Sequence, residues 1–151
     1  MKLTKKGEYG LRALLSLTLA YGQQPLNLRE ISRREKIPYK FLEQIMTLLK
    51  RGRFVQSVKG QFGGYSLSRP AEEITLGEVI RTLEGPLAPL GSAAEIRKII
   101  DAETHHPGLY SVVMDVHNAI SEILDQRTLA DVCERSLELT QTQTAYHMYH
   151  I

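Results

Sequence analysis

Apolar residues in the first third of the chain recur every three or four positions, which is the spacing of one face of an α-helix. The first such stretch predicts an amphipathic helix over residues 7–21, with Leu11 and Leu15 on its apolar face. The second predicts a helix over residues 38–51, because its opening proline suits a first helical position. The expected buried stripe of this second helix consists of Phe41, Leu42, Ile45, Leu48 and Leu49.

Helix starts are marked by a capping residue with an acid three positions later, since these side chains bond the otherwise unpaired amides of the first turn. The capping residues are Asn27, Thr75, Ser92 and Thr128. They predict helices near residues 28–35, 76–84, 93–103 and 129–139.

Between residues 53 and 69 the spacing of apolar residues changes from that of a helix to that of β-strands. Phe54–Val58 and Tyr65–Ser68 are the expected strands, and the connection Lys59–Gly64 contains three glycines that permit a tight loop. A β-hairpin after three short helices is the order of a winged helix-turn-helix. The fold class is therefore expected to be mainly α with a small β-hairpin wing.

Four regions follow from this pattern. Residues 1–84 are the expected winged helix-turn-helix domain, and the Gly- and Pro-rich residues 85–92 are the expected hinge. Residues 93–140 are expected to form a helical dimerisation and effector region. Residues 141–151 are expected to be a polar tail that is either mobile or docked on a partner.

A long helix over residues 109–124 carries a continuous apolar stripe. Such a stripe outside a small domain commonly packs against another chain, although packing within the monomer is the alternative. The residues expected to join two copies are Leu109, Val112, Val113, Val116, Ile120 and Ile123.

Charge divides the chain into two halves. Residues 1–70 hold 14 Lys and Arg but only four Glu, a net charge of +10, whereas residues 71–151 have a net charge of −8. The basic half suggests a surface for an anionic polymer such as double-stranded DNA, and chance clustering of charge is the simpler alternative.

The second helix of a helix-turn-helix lies in the DNA major groove, so the amino end of the helix over residues 38–51 is the expected base-reading surface. Glu43 can accept from cytosine and Gln44 can pair with adenine. Later residues suit phosphates, and the wing tip suits a minor groove. The candidate DNA contacts of this region are Arg29, Tyr39, Lys40, Glu43, Gln44, Lys50, Arg51, Lys59 and Gln61.

The sequence gives little support for an enzyme, a secreted protein or a membrane protein. The sequence has no phosphate loop, no HExxH motif and no convincing catalytic set, so an enzyme is not expected. The apolar run near the start is interrupted by Glu8 and Arg12, which argues against a secretion signal. We expect a cytoplasmic protein without a membrane partner.

Several motifs resemble the Rrf-two family of bacterial transcription regulators. They are Met1–Leu14, Phe41–Ile45, Val58–Leu67, Ile74–Ile80 and Ile123–Asp131. The resemblance implies a homodimer joined through the long helix and bound to a palindromic operator. It further implies that Glu43 reads bases, that Lys59 reaches the minor groove in place of the usual arginine, and that Thr4 and Lys5 approach the DNA backbone.

Many members of this family hold an iron–sulfur cluster through three cysteines, but the corresponding positions here are Ser92, Lys98 and Thr104, and a nearby histidine position is Pro107. No cofactor is therefore expected. An unusual ligand set is the alternative, because some relatives use a carboxylate at the Glu8 position.

The only cysteine, Cys133, falls on the apolar face of the last predicted helix, which favours a structural thiol over a redox sensor or ligand. The leading hypothesis is a dimeric DNA-binding repressor without the cysteine-ligated cluster. Its signal would be a small molecule, a protein effector or oxidation of Cys133. The alternatives are an iron–sulfur or redox regulator with unusual ligands, and a winged-helix module for protein–protein contact.

Overall fold

The computed structural model describes residues 2–87 and 91–150 of the chain. Seven α-helices, one β-hairpin and a 3-10 turn at Ala71–Glu73 make up this part of the protein. The first three helices and the hairpin are α1 (Lys5–Leu19), α2 (Leu28–Glu35), α3 (Tyr39–Arg51), β1 (Val55–Val58) and β2 (Gly64–Leu67). The remaining helices are α4 (Leu76–Glu84), α5 (Ala93–Ala102), α6 (Pro107–Gln126) and α7 (Leu129–Tyr149).

Helix starts follow the predicted capping chemistry, with one correction. Thr75, Ser92 and Thr128 form reciprocal capping boxes with the acid three residues later. Asn27 caps α2 through the Glu30 amide, whereas the Glu30 carboxylate pairs with Arg34 at 2.7 Å. Pro38 precedes α3 with an extended ψ of 128°, so its predicted place as the first helical residue is wrong.

Helix α1 starts at Lys5 and ends at Leu19, two residues before each predicted boundary. The predicted end of the last helix at residue 139 is wrong, because α7 continues to Tyr149. The sequence has no glycine or proline between Leu129 and Tyr149 to stop the helix. In addition, the Thr140 and Thr144 hydroxyls donate to carbonyl oxygens four residues earlier. The predicted tail is therefore helical over most of its length.

The hydrophobic core lies between α1, α3 and α4. From α1 it takes Ala13, Leu14 and Leu17, from α3 Leu42, Ile45, Met46 and Leu49, and from α4 Val79 and Leu83. Phe41 and Leu48 are only half-buried, whereas Met46 is fully buried, so the buried stripe of α3 is rotated slightly from its predicted position. Leu129 at the start of α7 also joins this core.

The wing is an antiparallel hairpin whose register pairs Val55 with Leu67 and Val58 with Gly64. A further bridge joins Tyr65 to Leu26, which precedes α2, through backbone hydrogen bonds of 2.8 and 3.0 Å. This bridge fixes the hairpin beside the helix-turn-helix. The observed elements confirm the predicted fold class, a mainly helical winged helix-turn-helix with a small β-hairpin.

Two backbone hydrogen bonds tie the start of α4 to the start of α7. The Leu76 amide donates to the Arg127 carbonyl at 2.8 Å, and the Leu129 amide donates to the Ile74 carbonyl at 2.9 Å. A bidentate ion pair between Arg81 and Asp125, at 2.7 and 2.8 Å, fastens α4 to the end of α6. The predicted hinge over residues 85–92 lies partly outside the described residues. The predicted domain boundaries stay predictions.

Among the helices of residues 2–87 and 91–150, none is both long and apolar enough to cross a membrane.

Replacing Gly64 with alanine should destabilise the protein. A Cβ at this position would lie 2.3 Å from the Leu26 carbonyl oxygen, which is backbone and cannot rotate away. We expect a loss of about 1–3 kcal/mol in the free energy of unfolding, measured by denaturant titration. Gly108→Ala is the matched control, because a Cβ at Gly108 meets nothing within 4 Å. Equal stability of the Gly64→Ala variant and the parent would contradict this packing.

Candidate nucleic-acid interface

The turn between α2 and α3 is held by local hydrogen bonds around a buried residue. Lys36 adopts the left-handed conformation, with φ of 53°, and ends α2. The Ile37 amide donates to the Ser32 carbonyl at 3.0 Å, and the Ser32 hydroxyl donates to the Ile37 carbonyl at 2.6 Å. Because Ile37 is buried, the turn is anchored to the core and the direction of α3 is fixed.

Helix α3 has one buried face and one exposed face. Its core face is buried completely, whereas Tyr39, Lys40 and Gln44 at its amino end are exposed. These are the side chains that the sequence assigned to base readout. The structure therefore brings them together on one face of one helix end, in the position that a recognition helix requires.

Glu43 is the carboxylate on this face. Its side chain is 41% exposed, and one oxygen lies 3.6 Å from the Lys40 ammonium. The Lys40 side chain is itself 89% exposed, so this pair is surrounded by water and easily opened. Glu43 is thus free to accept a hydrogen bond from another molecule, and the Lys40 charge partly offsets the charge of the carboxylate.

The carboxyl end of α3 meets the wing. The Lys50 ammonium donates to the Ser57 hydroxyl of β1 at 3.0 Å. Arg51 and Arg53 are exposed beside it, and Arg53 has a left-handed φ of 62°. This places three cations at the junction between the recognition helix and the wing, where they can meet phosphates.

The wing tip is a tight turn with exposed side chains. The Gly63 amide donates to the Gly60 carbonyl at 3.0 Å and closes the turn. Lys59 and Gln61, both predicted contacts, are exposed there. Phe62 is also exposed, to 68%, and the sequence pattern did not single it out. An apolar residue inside an otherwise polar, Gly-rich turn is the signal that would have found it.

Arg69 holds the base of the wing against α4. Its guanidinium lies 5.4 Å from the centre of the Phe54 ring and donates to the Glu73 carbonyl at 2.7 Å. A second nitrogen lies 3.4 Å from the Glu78 carboxylate. The Thr75 amide, which donates to Glu78, and the nearby Arg69 charge hold the pKa of Glu78 below its usual value. The carboxylate therefore stays charged and keeps this contact.

The amino-terminal segment is fastened to α4 instead of to α3. The Thr4 amide donates to a Glu84 carboxylate oxygen at 2.7 Å, and the Thr4 hydroxyl bonds the same oxygen. Lys5 pairs with Glu8 at 3.3 Å. Thr4, Lys5 and Arg29 are all exposed, so their predicted DNA contacts stay predictions.

Helix α6 exposes most of its apolar stripe. Among its residues, all of which the structure describes, none is fully buried. Leu109, Val112, Val116 and Ile123 have exposures of 61%, 60%, 44% and 63%. Val113 and Ile120 are half-buried, on a helix that packs against α5 and α4 within the same chain.

The candidate ligand residues lie apart from one another. Glu8 is paired with Lys5 and with Arg12, the latter at 3.8 Å. Cys133 is half-buried in a groove between α1 and α7 with Leu15, Leu19 and Leu137, and burial raises the pKa of its thiol. Within residues 2–87 and 91–150, no three His, Cys, Asp or Glu side chains are grouped closely enough to hold a metal ion.

The positions that carry cluster cysteines in many relatives have other roles here. The Ser92 hydroxyl accepts the Glu95 amide as the cap of α5, and Lys98 is exposed on the same helix. The Thr104 hydroxyl bonds the ring of His105 at 2.9 Å. Pro107 begins α6.

A buried turn, an exposed helix end and a thin basic wing define a winged helix-turn-helix DNA-binding protein. Comparison with known proteins specifies the family. The Rrf2 family model, described as an iron-dependent transcriptional regulator, matches residues 3–135. The chain therefore belongs to the Rrf2 family, which is the Rrf-two family that its sequence motifs resemble. It is a DNA-binding transcription regulator and not an enzyme.

Two regulators illustrate the similarity. The transcriptional regulator CymR of Bacillus subtilis is 31% identical over 149 residues, which is 99% of this chain and 99% of CymR. The structure of that protein, called the global cysteine regulator, superimposes with a TM-score of 0.77 at 30% identity, covering 89% of this chain and 98% of CymR. The structure of IscR from T. potens has a TM-score of 0.74 at 32% identity, covering 90% of this chain and 88% of IscR.

The thiol of Cys133 should react slowly with alkylating agents in the folded protein. Its raised pKa leaves less thiolate at neutral pH, and thiolate is the reactive form. We expect alkylation by iodoacetamide to be several-fold slower than in the same protein unfolded in denaturant, followed by mass spectrometry. A native rate equal to or above the unfolded rate would identify Cys133 as an activated thiol.

Proposed function

We propose that the protein is a homodimeric, sequence-specific repressor that binds a palindromic operator. The observation that carries the proposal is the exposed amino end of α3, where Tyr39, Lys40, Glu43 and Gln44 project from a helix whose other face is fully buried. A rigid helix of this kind can enter the major groove without rearranging.

Each recognition residue has a defined role in the proposal. Glu43 accepts from the amino group of cytosine, and Gln44 bonds adenine through its amide. Lys50 and Arg51 bind phosphates and set the register of the helix in the groove. Lys59 enters the adjacent minor groove as a point charge, without the planar fork of an arginine.

The apolar face of α6 supports the proposed dimer. Four of its residues are between 44% and 63% exposed, and contiguous apolar surface of this kind is typical of an interface. A two-fold dimer presents two copies of α3, and a palindrome is the matching arrangement of half-sites. Occupying the operator would exclude RNA polymerase, which is how the protein would repress in the cytoplasm.

The proposal includes no cysteine-ligated iron–sulfur cluster, because the chain has a single cysteine whose thiol lies in an apolar groove. The signal would then be a small molecule or a protein effector. The similar B. subtilis protein is called the global cysteine regulator, so metabolites of sulfur metabolism are the first effectors to test. Visible charge-transfer absorbance with stoichiometric iron and sulfide, after anaerobic purification, would instead support a cluster with unusual ligands.

Binding to a selected duplex should depend steeply on salt. Neutralising about 6–8 phosphates predicts a slope of roughly −5 to −7 in a plot of log affinity against log salt concentration. Lys59→Ala should reduce the magnitude of the slope by about one per wing. Lys98→Ala, which removes an equal charge from the exposed face of α5, is the matched control. A slope near zero for the parent protein would contradict the DNA interface.

Glu43→Ala should relax specificity at one base pair of each half-site. We expect discrimination there to fall by about 1–3 kcal/mol, because the cytosine amino group loses its acceptor, while non-specific affinity is retained. The measurement is competition binding with duplexes that carry each base pair in turn. Glu72→Ala is the control, because it removes the same charge from an exposed 3-10 turn. Uniform weakening on every sequence would contradict a base-reading role.

A further inference from the structure

Phe62 occupies the outermost part of the wing with its ring in solvent. Its side chain is 68% exposed, although phenylalanine is among the residue types most often buried. Its neighbours in the turn are Lys59, Gln61 and two glycines, none of which has an apolar side chain to pack against the ring. The ring therefore becomes buried only when the wing meets something else.

The other two phenylalanines of the chain pack against neighbouring side chains, Phe54 fully buried and Phe41 half-buried. Phe41 lies edge-on to Tyr9 at 5.7 Å between ring centres, and Phe54 is buried beneath the Arg69 guanidinium. Within the described part of the chain, Phe62 makes no comparable aromatic or cation contact. Its exposure is specific to its position and is not a general property of phenylalanine in this fold.

The turn that carries Phe62 is tight, since the Gly63 amide donates to the Gly60 carbonyl at 3.0 Å. Gly60 has φ of 117°, and a Cβ at Gly60 would meet nothing within 4 Å, so the side of the tip is open. Gly63 packs closely, since a Cβ there would lie 2.2 Å from the Val58 carbonyl oxygen. A thin tip with one projecting ring has the shape that a minor groove, about 6 Å wide, admits.

Charge and apolar surface meet at this tip. Lys59 is exposed three residues before Phe62, and a lysine is attracted to the negative potential of the minor groove. Proteins that bind this groove often insert an apolar side chain between base pairs and kink the duplex. We propose that Phe62 is such a wedge, which partly unstacks one base step beside each half-site and bends the operator. This inference rests on the proposed function, because it requires the wing to enter the minor groove.

The wedge adds a source of specificity that needs no hydrogen bond to a base. Pyrimidine–purine steps unstack more easily than others, whereas A-tracts are stiff. Operators with a flexible step under Phe62 would therefore bind more tightly than operators with an A-tract at the same place. The wing would select deformable DNA while α3 reads base edges.

The test uses the full chain and a duplex selected from a random pool by the parent protein. One series of duplexes carries 2-aminopurine in place of successive adenines flanking each half-site, and its emission rises when a step unstacks. A second set carries donor and acceptor dyes at its ends and reports bending by energy transfer. The variants are Phe62→Ala, Phe62→Leu, which keeps an apolar wedge, and Tyr149→Ala, which removes an 83% exposed ring from the end of α7.

We expect the parent protein to raise 2-aminopurine emission at one step per half-site and to bend the duplex. Phe62→Ala should abolish the emission change, reduce the bend and lower affinity about 5- to 150-fold, the range found for loss of an aromatic ring stacked on a base. Phe62→Leu should retain most of the bend. Tyr149→Ala should match the parent. Unchanged thermal unfolding of Phe62→Ala would show that the loss arises at the interface.

Two results would overturn the wedge alone. One is an unchanged bend and emission in Phe62→Ala. The other is equal weakening on flexible and stiff sequences without any change in emission, which would assign Phe62 to the sugar–phosphate backbone. Failure of the parent protein to select any duplex would overturn the proposed function and the wedge together. If Phe62→Ala left DNA binding unchanged but weakened capture of a protein effector, the ring would belong to a protein interface.

Discussion

Burial of one face of α3 is the constraint on which the rest of the structure depends. Leu42, Ile45, Met46 and Leu49 are fully buried between α1 and α4, and a helix anchored along its whole length cannot rotate. Its opposite face must then stand in solvent. The exposure of Tyr39, Lys40, Glu43 and Gln44 is therefore a consequence of core packing, because burial of the opposite face turns these side chains outward. The buried Ile37 holds the same direction at the amino end of the helix.

Local chemistry made much of this predictable. Capping residues act within four positions, so the starts of α4, α5 and α7 could be read directly from Thr75, Ser92 and Thr128. The spacing of apolar residues predicted α3 and its exposed face, and three glycines predicted the turn of the hairpin. Long-range contacts leave no such local signal. The residues around Asp125 do not indicate that it pairs with Arg81, and the residues around Thr4 do not indicate that it bonds Glu84. Composition explains two other errors. The polar residues 140–149 did not indicate that α7 continues, and the Gly-rich turn drew attention away from the exposed ring of Phe62.

Helix α4 is the common support for the wing and for α6. On one side Glu78 meets Arg69 at the base of the wing, and on the other Arg81 clamps Asp125 at the end of α6. Hydrogen bonds from Arg81 hold the pKa of Asp125 below its usual value, so the clamp is charged at neutral pH. These groups are partly exposed, and such pairs contribute at most about 1 kcal/mol each. Their importance is geometric: they fix the wing and the apolar stripe of α6 to one rigid element.

The paired starts of α4 and α7 have a consequence for how the chain can change. The Leu76 amide donates to the Arg127 carbonyl and the Leu129 amide donates to the Ile74 carbonyl, so the chain returns beside the start of α4 once α6 has ended. The cost of closing such an excursion grows only slowly with its length. Beyond α4, the helices α5 and α6 contribute no residue to the main core cluster in the part of the chain that the structure describes. Helices α5 and α6 are thus a natural graft site: helices of another length or sequence could replace them, with the Arg81–Asp125 ion pair and the winged helix-turn-helix body retained.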